Sequence, residues 1–159
     1  MNIFVIVSYG GEYDDAWERI EFAVRSEQEA EQEVQRLTET HKELTKLYKE
    51  LNQVLNNFEP SQIPYTSFPD RPKGPARSSK EGMEALEIAR NIWAIKCRPI
   101  EKANELASKE WHRNRVEKLQ QKIAEMQLTE EQIKLLKIKD DRISFYEDVA
   151  YRYEAVDLR

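Results

Sequence analysis

From Ser26 to Phe58 the chain contains neither Gly nor Pro, and one row of residues recurs at helical spacing: Ala30, Val34, Leu37, His41, Leu44, Tyr48, Leu51, Leu55 and Phe58. The steps alternate between 4 and 3, a heptad seam that only a long α-helix keeps on one face. Some 32 residues at about 1.5 Å each make a rod of roughly 48 Å. A small sheet cannot cover that length, so the rod must project. Ser26 and Glu29 form a capping box at its start, with each side chain expected to meet the other residue's backbone N–H.

Five of the six prolines, Pro60, Pro64, Pro69, Pro72 and Pro75, fall in residues 59–78. Proline cannot continue a helix, so this stretch is an extended connector. Ser78 and Glu81 predict a second capping box, opening a helix that runs to about Met126. Pro99 lies inside it and predicts a kink near Cys97. This helix carries two adjacent apolar seams. One is Leu86, Trp93, Cys97, Ile100, Ala107 and Trp111; the other includes Ala85, Ile88, Ile92, Ile95, Ala103 and Leu106. One partner helix covers a single narrow stripe. Ile88, Ile92, Trp93 and Ile95 are therefore predicted to form an oligomer interface, most simply of a homodimer.

At the ends of the chain the period changes from helical to strand-like. Residues 3–7, Ile-Phe-Val-Ile-Val, predict a central covered strand. Ile20, Phe22 and Val24 predict a half-buried second strand with those three on one face. Thr129 and Gln132 form a third capping box, opening a short helix to about Lys139. Residues 142–147 and 149–158 read as strand, with the last of these beside residues 3–7. The predicted fold is α+β and mainly helical: an antiparallel sheet of about three strands carrying a long projecting antiparallel helical hairpin. Residues 1–37 and 127–159 would form the platform, and 38–126 the helical insertion.

Composition narrows the function. No apolar run is long enough to span a membrane, and the N-terminal MNIFVIVSYGGE lacks the features of a secretory signal. The single cysteine among 159 residues excludes an intramolecular disulfide, and a cytoplasmic location is expected. Residues 1–60 hold 13 acidic and 6 basic side chains, whereas residues 61–80 hold 1 and 4. An acidic front of this kind argues against a duplex-DNA binder. Glu12, Asp14, Asp15 and Glu18 crowd a hairpin tip but lack the spacing of a calcium loop. His41, Cys97 and His112 lie too far apart for a zinc set. His41 fits a core histidine with a hydrogen-bond neighbour, and Cys97 a small core residue with no adjacent base. No phosphate-binding, dinucleotide or nucleophile-elbow motif occurs. Neither a catalytic residue nor a metal or other cofactor is expected, and the chain is predicted not to be an enzyme. The candidate recognition element is the connector, where Tyr65 and Phe68 precede Arg71, Lys73, Arg77 and Lys80. Aromatic and basic residues together suit a protein partner. They equally suit a nucleotide or single-stranded nucleic acid.

In Phe4–Glu18, Ser26–Leu37 and Tyr151–Leu158 the chain resembles a group of short uncharacterised bacteriophage proteins. These share a first strand, a GGEYDD hairpin, a Ser-capped helix rich in Glu and Ala, and a Tyr-rich last strand. Residues 38–126 have no counterpart in the short members. The resemblance implies a viral setting inside a host cell. There, a non-enzymatic module of this size would bind a host or phage protein, for instance to inhibit a defence or regulatory complex.

Overall fold

The computed structural model describes residues 2–11, 15–75, 77 and 79–158. Its elements are β1 (Asn2–Gly10), β2 (Trp17–Val24), α1 (Glu27–Asn56), α2 (Lys80–Glu125), α3 (Glu130–Leu135), β3 (Ile138–Lys139), β4 (Arg142–Ile143) and β5 (Val149–Asp157). The protein is α+β, as its periodicities require. It divides into two compact units, residues 1–55 with 121–159 and residues 56–120. Among the described residues no helix is long and apolar enough to cross a membrane.

In the first unit β1 is the middle strand of an antiparallel sheet ordered β2-β1-β5. The apolar run of residues 3–7 thus gains partners on both sides. Opposed residues share a face, so Phe4, Ile6 and Ser8 stand with Ala155, Tyr153 and Tyr151. This face meets α1. The Tyr153 hydroxyl donates to the Glu27 carboxylate at 3.1 Å, and the His41 ring meets Tyr151 edge-on at 6.2 Å. Every position of the α1 seam is buried or half-buried, with Ala30, Leu44, Leu51 and Leu55 the deepest.

The β1–β2 register slips between Ile6 and Val7: Ile6 opposes Phe22, but Val7 opposes Ile20. Glu21 is the extra residue of a β-bulge. The expected alternation therefore fails. Phe22 and Val24 share the face of Ile6 and Phe4, while Ile20 turns to the opposite face and is 69% exposed.

The helix starts follow the capping chemistry, with shifts. Ser26 Oγ accepts from Glu29 N–H at 3.2 Å, but the Glu29 carboxylate accepts from Arg25 N–H, one residue before the expected Ser26. At α2 it is Ser79 Oγ that accepts, from Gly82 N–H at 3.0 Å. Ser78, to which the sequence assigned this role, lies outside the described residues, as do Glu12, Tyr13 and Asp14 of the acidic tip. The Thr129–Gln132 box is complete. α2 runs unbroken through Pro99. α3 stops sooner than expected, because Lys137 takes a left-handed backbone (φ 48°). Residues 138–139 then pair with 142–143 as a small hairpin, and strand resumes only at Val149.

Leu44 is 6% exposed in the middle of the seam. Leu44→Asp would place an uncompensated charge there at a cost of several kcal/mol. Far-ultraviolet circular dichroism should show loss of helix and a melting temperature lowered by more than 10 °C.

Candidate functional site

The connector is an ordered strap on α2, and three polar clamps hold it. Trp111 Nε1–H donates to the Pro60 carbonyl at 2.8 Å. The Asn104 side chain accepts from Thr66 N–H at 2.7 Å and donates to the Thr66 carbonyl at 3.0 Å. Trp93 Nε1–H donates to the Pro69 carbonyl at 2.9 Å. Contact positions rise along the strap while they fall along the helix, so the two run antiparallel. From Trp111 to Trp93 the helix covers about 27 Å at 1.5 Å per residue. From Pro60 to Pro69 an extended chain at about 3.1 Å per residue covers about 28 Å. The proline-rich segment is thus the right length to match the helix from its first clamp to its last. Phe58 packs edge-on against Trp111 at 5.6 Å, and the Arg115 guanidinium lies over the Trp111 ring at 5.2 Å.

The strap presents most of the residues predicted for it. Tyr65 and Phe68 are 57% and 48% exposed. Lys73, Arg77 and Lys80 are exposed, and Lys73 shares a shallow groove with Asp70, Arg71, Pro72 and Arg90. Arg71 is partly engaged, its guanidinium 5.9 Å above the Trp93 ring.

The strap separates the two seams of α2. Leu86 and Cys97 are buried on the strap side, and burial, with Glu101 nearby, pushes the Cys97 thiol above its ordinary pKa. Trp93 belongs to this covered face, one residue and about 100° round the helix from Ile92. It therefore leaves the predicted interface set. Ile88, Ile92 and Ile95 remain, 62%, 50% and 61% exposed, and Leu106 extends the stripe at 67%. At 100° per residue, Glu81 and Glu84 flank the start of this stripe, and Lys96 and Lys102 its later part.

In the first unit a cavity of about 180 Å³ opens on the covered face of the sheet, lined by Trp17, His41, Phe145, Tyr146 and Tyr151 with Ser8, Arg19, Glu21 and Lys137. His41 has the hydrogen-bond neighbour expected of it but is half-buried and not a core residue. Its Nε2 meets the Glu147 carbonyl at 2.9 Å, and its ring stacks on Phe145 at 5.0 Å. Ser8 is 2% exposed, and its hydroxyl donates to the Glu21 carboxylate at 2.5 Å. Burial first, and then the Glu21 charge, raise the Tyr151 phenol above its usual pKa. Sequence reasoning missed this site. Its aromatic residues come from four separate segments, and the bulge that aims Glu21 at Ser8 leaves no local signal. Among the described residues no group of three or more His, Cys, Asp or Glu side chains is placed to hold a metal ion.

Comparisons with family models, with curated proteins and with solved structures find no match.

The clamps make the strap's order testable. Asn104→Ala removes two hydrogen bonds at an exposed site, each worth roughly 0.5–1.5 kcal/mol. Amide exchange at Thr66 should accelerate at least fivefold and residues 61–75 should become protease-sensitive, while global helix content stays unchanged.

Proposed function

We propose that this chain is a non-enzymatic interaction module that pairs with a second copy through the open stripe of α2 and presents the strap to another protein. The observation that carries this reading is the isoleucine row at Ile88, Ile92 and Ile95, left open on a helix whose other apolar seam is covered. Fully burying such a side chain contributes about 1.5–3 kcal/mol, so covering six half-exposed isoleucines contributes roughly 7 kcal/mol. Association costs about 4–15 kcal/mol. The row alone does not outweigh the upper part of that cost, so the proposed pairing is weak and concentration-dependent.

The flanking charges favour an antiparallel pair. With a two-fold axis near Ile92, Ile88 meets Ile95 of the other copy and Glu81 meets Lys102. A parallel pair would set acid against acid and base against base. In the viral setting that the terminal motifs resemble, the strap's Tyr65, Phe68, Lys73 and Arg77 would engage an acidic surface of a host defence or regulatory protein in the host cytoplasm. The groove at Arg71, Lys73 and Arg90 supports a second reading, a nucleotide or single-stranded nucleic acid held by the strap.

Light scattering across a hundredfold concentration range should show the mass rising above the 18.9 kDa of one chain. Ile92→Asp should give a folded monomer, and Glu81→Lys or Lys102→Glu alone should weaken pairing. The two together should restore it. A mass fixed at the monomer value for the wild-type chain overturns the dimer.

Replacing Arg71, Lys73 and Arg77 together by Ala should change the melting temperature by no more than about 2 °C, because exposed charges contribute little to stability. It should also weaken capture of the protein partner from host lysate. Binding of single-stranded oligonucleotides with a steep salt dependence, lost in the same variant, would instead select the second reading.

A further inference from the structure

The aromatic cavity of the first unit has the composition of a ligand site, and nothing in the interaction reading uses it. Its floor is buried and mixed, with the Leu44 side chain 6% exposed and Ser8, which carries a hydroxyl, 2% exposed. Its walls are π faces, with Phe145 stacked on His41 and Trp17 tilted against Tyr146 at 6.5 Å. Arg19 and Lys137 line it and are exposed, which puts their charges at the rim. Among the described residues neither cation has a carboxylate partner. The one carboxylate in the lining, Glu21, is held by the buried Ser8 hydroxyl.

These features choose a ligand. A pocket with aromatic walls takes a planar ring, because offset and edge-to-face ring contacts add to area burial. A cavity of about 150 Å³ holds one benzene, so about 180 Å³ admits one ring or a compact bicycle. Two rim cations take an anionic group, and a guanidinium pairs with a carboxylate through two parallel bonds. Glu21 inside so small a cavity would repel a dianion such as phosphate. A monoanion at the rim with its ring inside avoids that charge.

Lys137 stands at a helix end. It follows the C-terminus of α3 with φ 48°, its N–H donating to the Lys134 carbonyl at 3.1 Å. This is a position where Gly is the low-energy choice. Gln127 ends α2 in the same way (φ 53°), so this backbone is how helices terminate in this chain. Lys137 places an ammonium beside the cavity.

We propose that the cavity bounded by Trp17, His41, Phe145, Tyr146 and Tyr151 binds an aromatic monocarboxylate, with the ring between the π walls and the carboxylate on Arg19 and Lys137. The same chemistry is offered by a free aromatic acid and by the C-terminal aromatic residue of a peptide.

The test is calorimetric titration of the full chain with indole-3-acetate, uncharged 3-methylindole, and the peptide Ac-Gly-Ser-Trp with a free or amidated C-terminus. Binding of at least one of the two carboxylates is expected, at least tenfold tighter than its uncharged analogue, with amide and indole shifts at Trp17. Arg19→Gln and Lys137→Gly should each weaken it fivefold or more. Lys137→Gly should also melt at or above the wild-type temperature, which separates loss of the site from loss of fold. Whichever of indole-3-acetate and the free peptide binds tighter identifies the source. No binding of either carboxylate up to 5 mM overturns the proposal. So does equal binding of the neutral analogues, or affinity unchanged in both variants. Ile92→Asp should leave this affinity unaltered, so the outcome is independent of the dimer.

Discussion

The first unit depends on β1 having partners on both edges. Residues 4–10 pair with residues 17–24 on one side, and residues 2–10 pair with residues 149–157 on the other. A two-stranded hairpin alone is marginal in water, and a third strand with an apolar face makes the sheet independently stable. That pairing also places Tyr151 and Tyr153 over α1 and brings Ser8 beneath the cavity. Among the described residues the sheet has one register irregularity, the bulge at Glu21, and it lies at the cavity, where such bulges commonly re-aim a side chain.

In the second unit the governing element is the proline-rich strap. Prolines prevent it from forming helix and limit its freedom, so little entropy is lost when Trp111, Asn104 and Trp93 fix it. Two of these clamps are indole N–H groups bonding backbone carbonyls. Each indole thereby packs its apolar body on the strap while satisfying its polar atom. The strap thus does for α2 what a second helix does in a coiled coil, over one seam only. The open isoleucine row is the direct consequence, and the proposed pairing rests on it.

The three candidate surfaces differ in how far they could be seen in advance. The α2 stripe and the basic connector were legible, because helical phase and clustered charge are local properties. What was misjudged was Trp93, whose indole serves the strap. A tryptophan among isoleucines reads as part of the same apolar surface until its N–H partner is known. The aromatic cavity was not legible at all. Trp17, His41, Phe145 and Tyr151 sit in four segments, and each has an ordinary explanation in its own neighbourhood: a strand end, a helix seam, a loop and a strand.

The sequence by itself determined where the helices run, that the termini form strands, and that the last strand lies beside the first. Periods of 3.5 and 2 residues, capping side chains and prolines act over a few neighbours, so they are readable in one dimension. Tertiary structure decided the rest: that Glu21 bulges and takes the Ser8 hydroxyl, that Lys137 turns left-handed and ends α3 early, and which seam of α2 stays open. The first and last of these outcomes are set by partners distant in sequence. Two apolar seams of similar composition cannot be told apart until the chain that covers one of them has found its register.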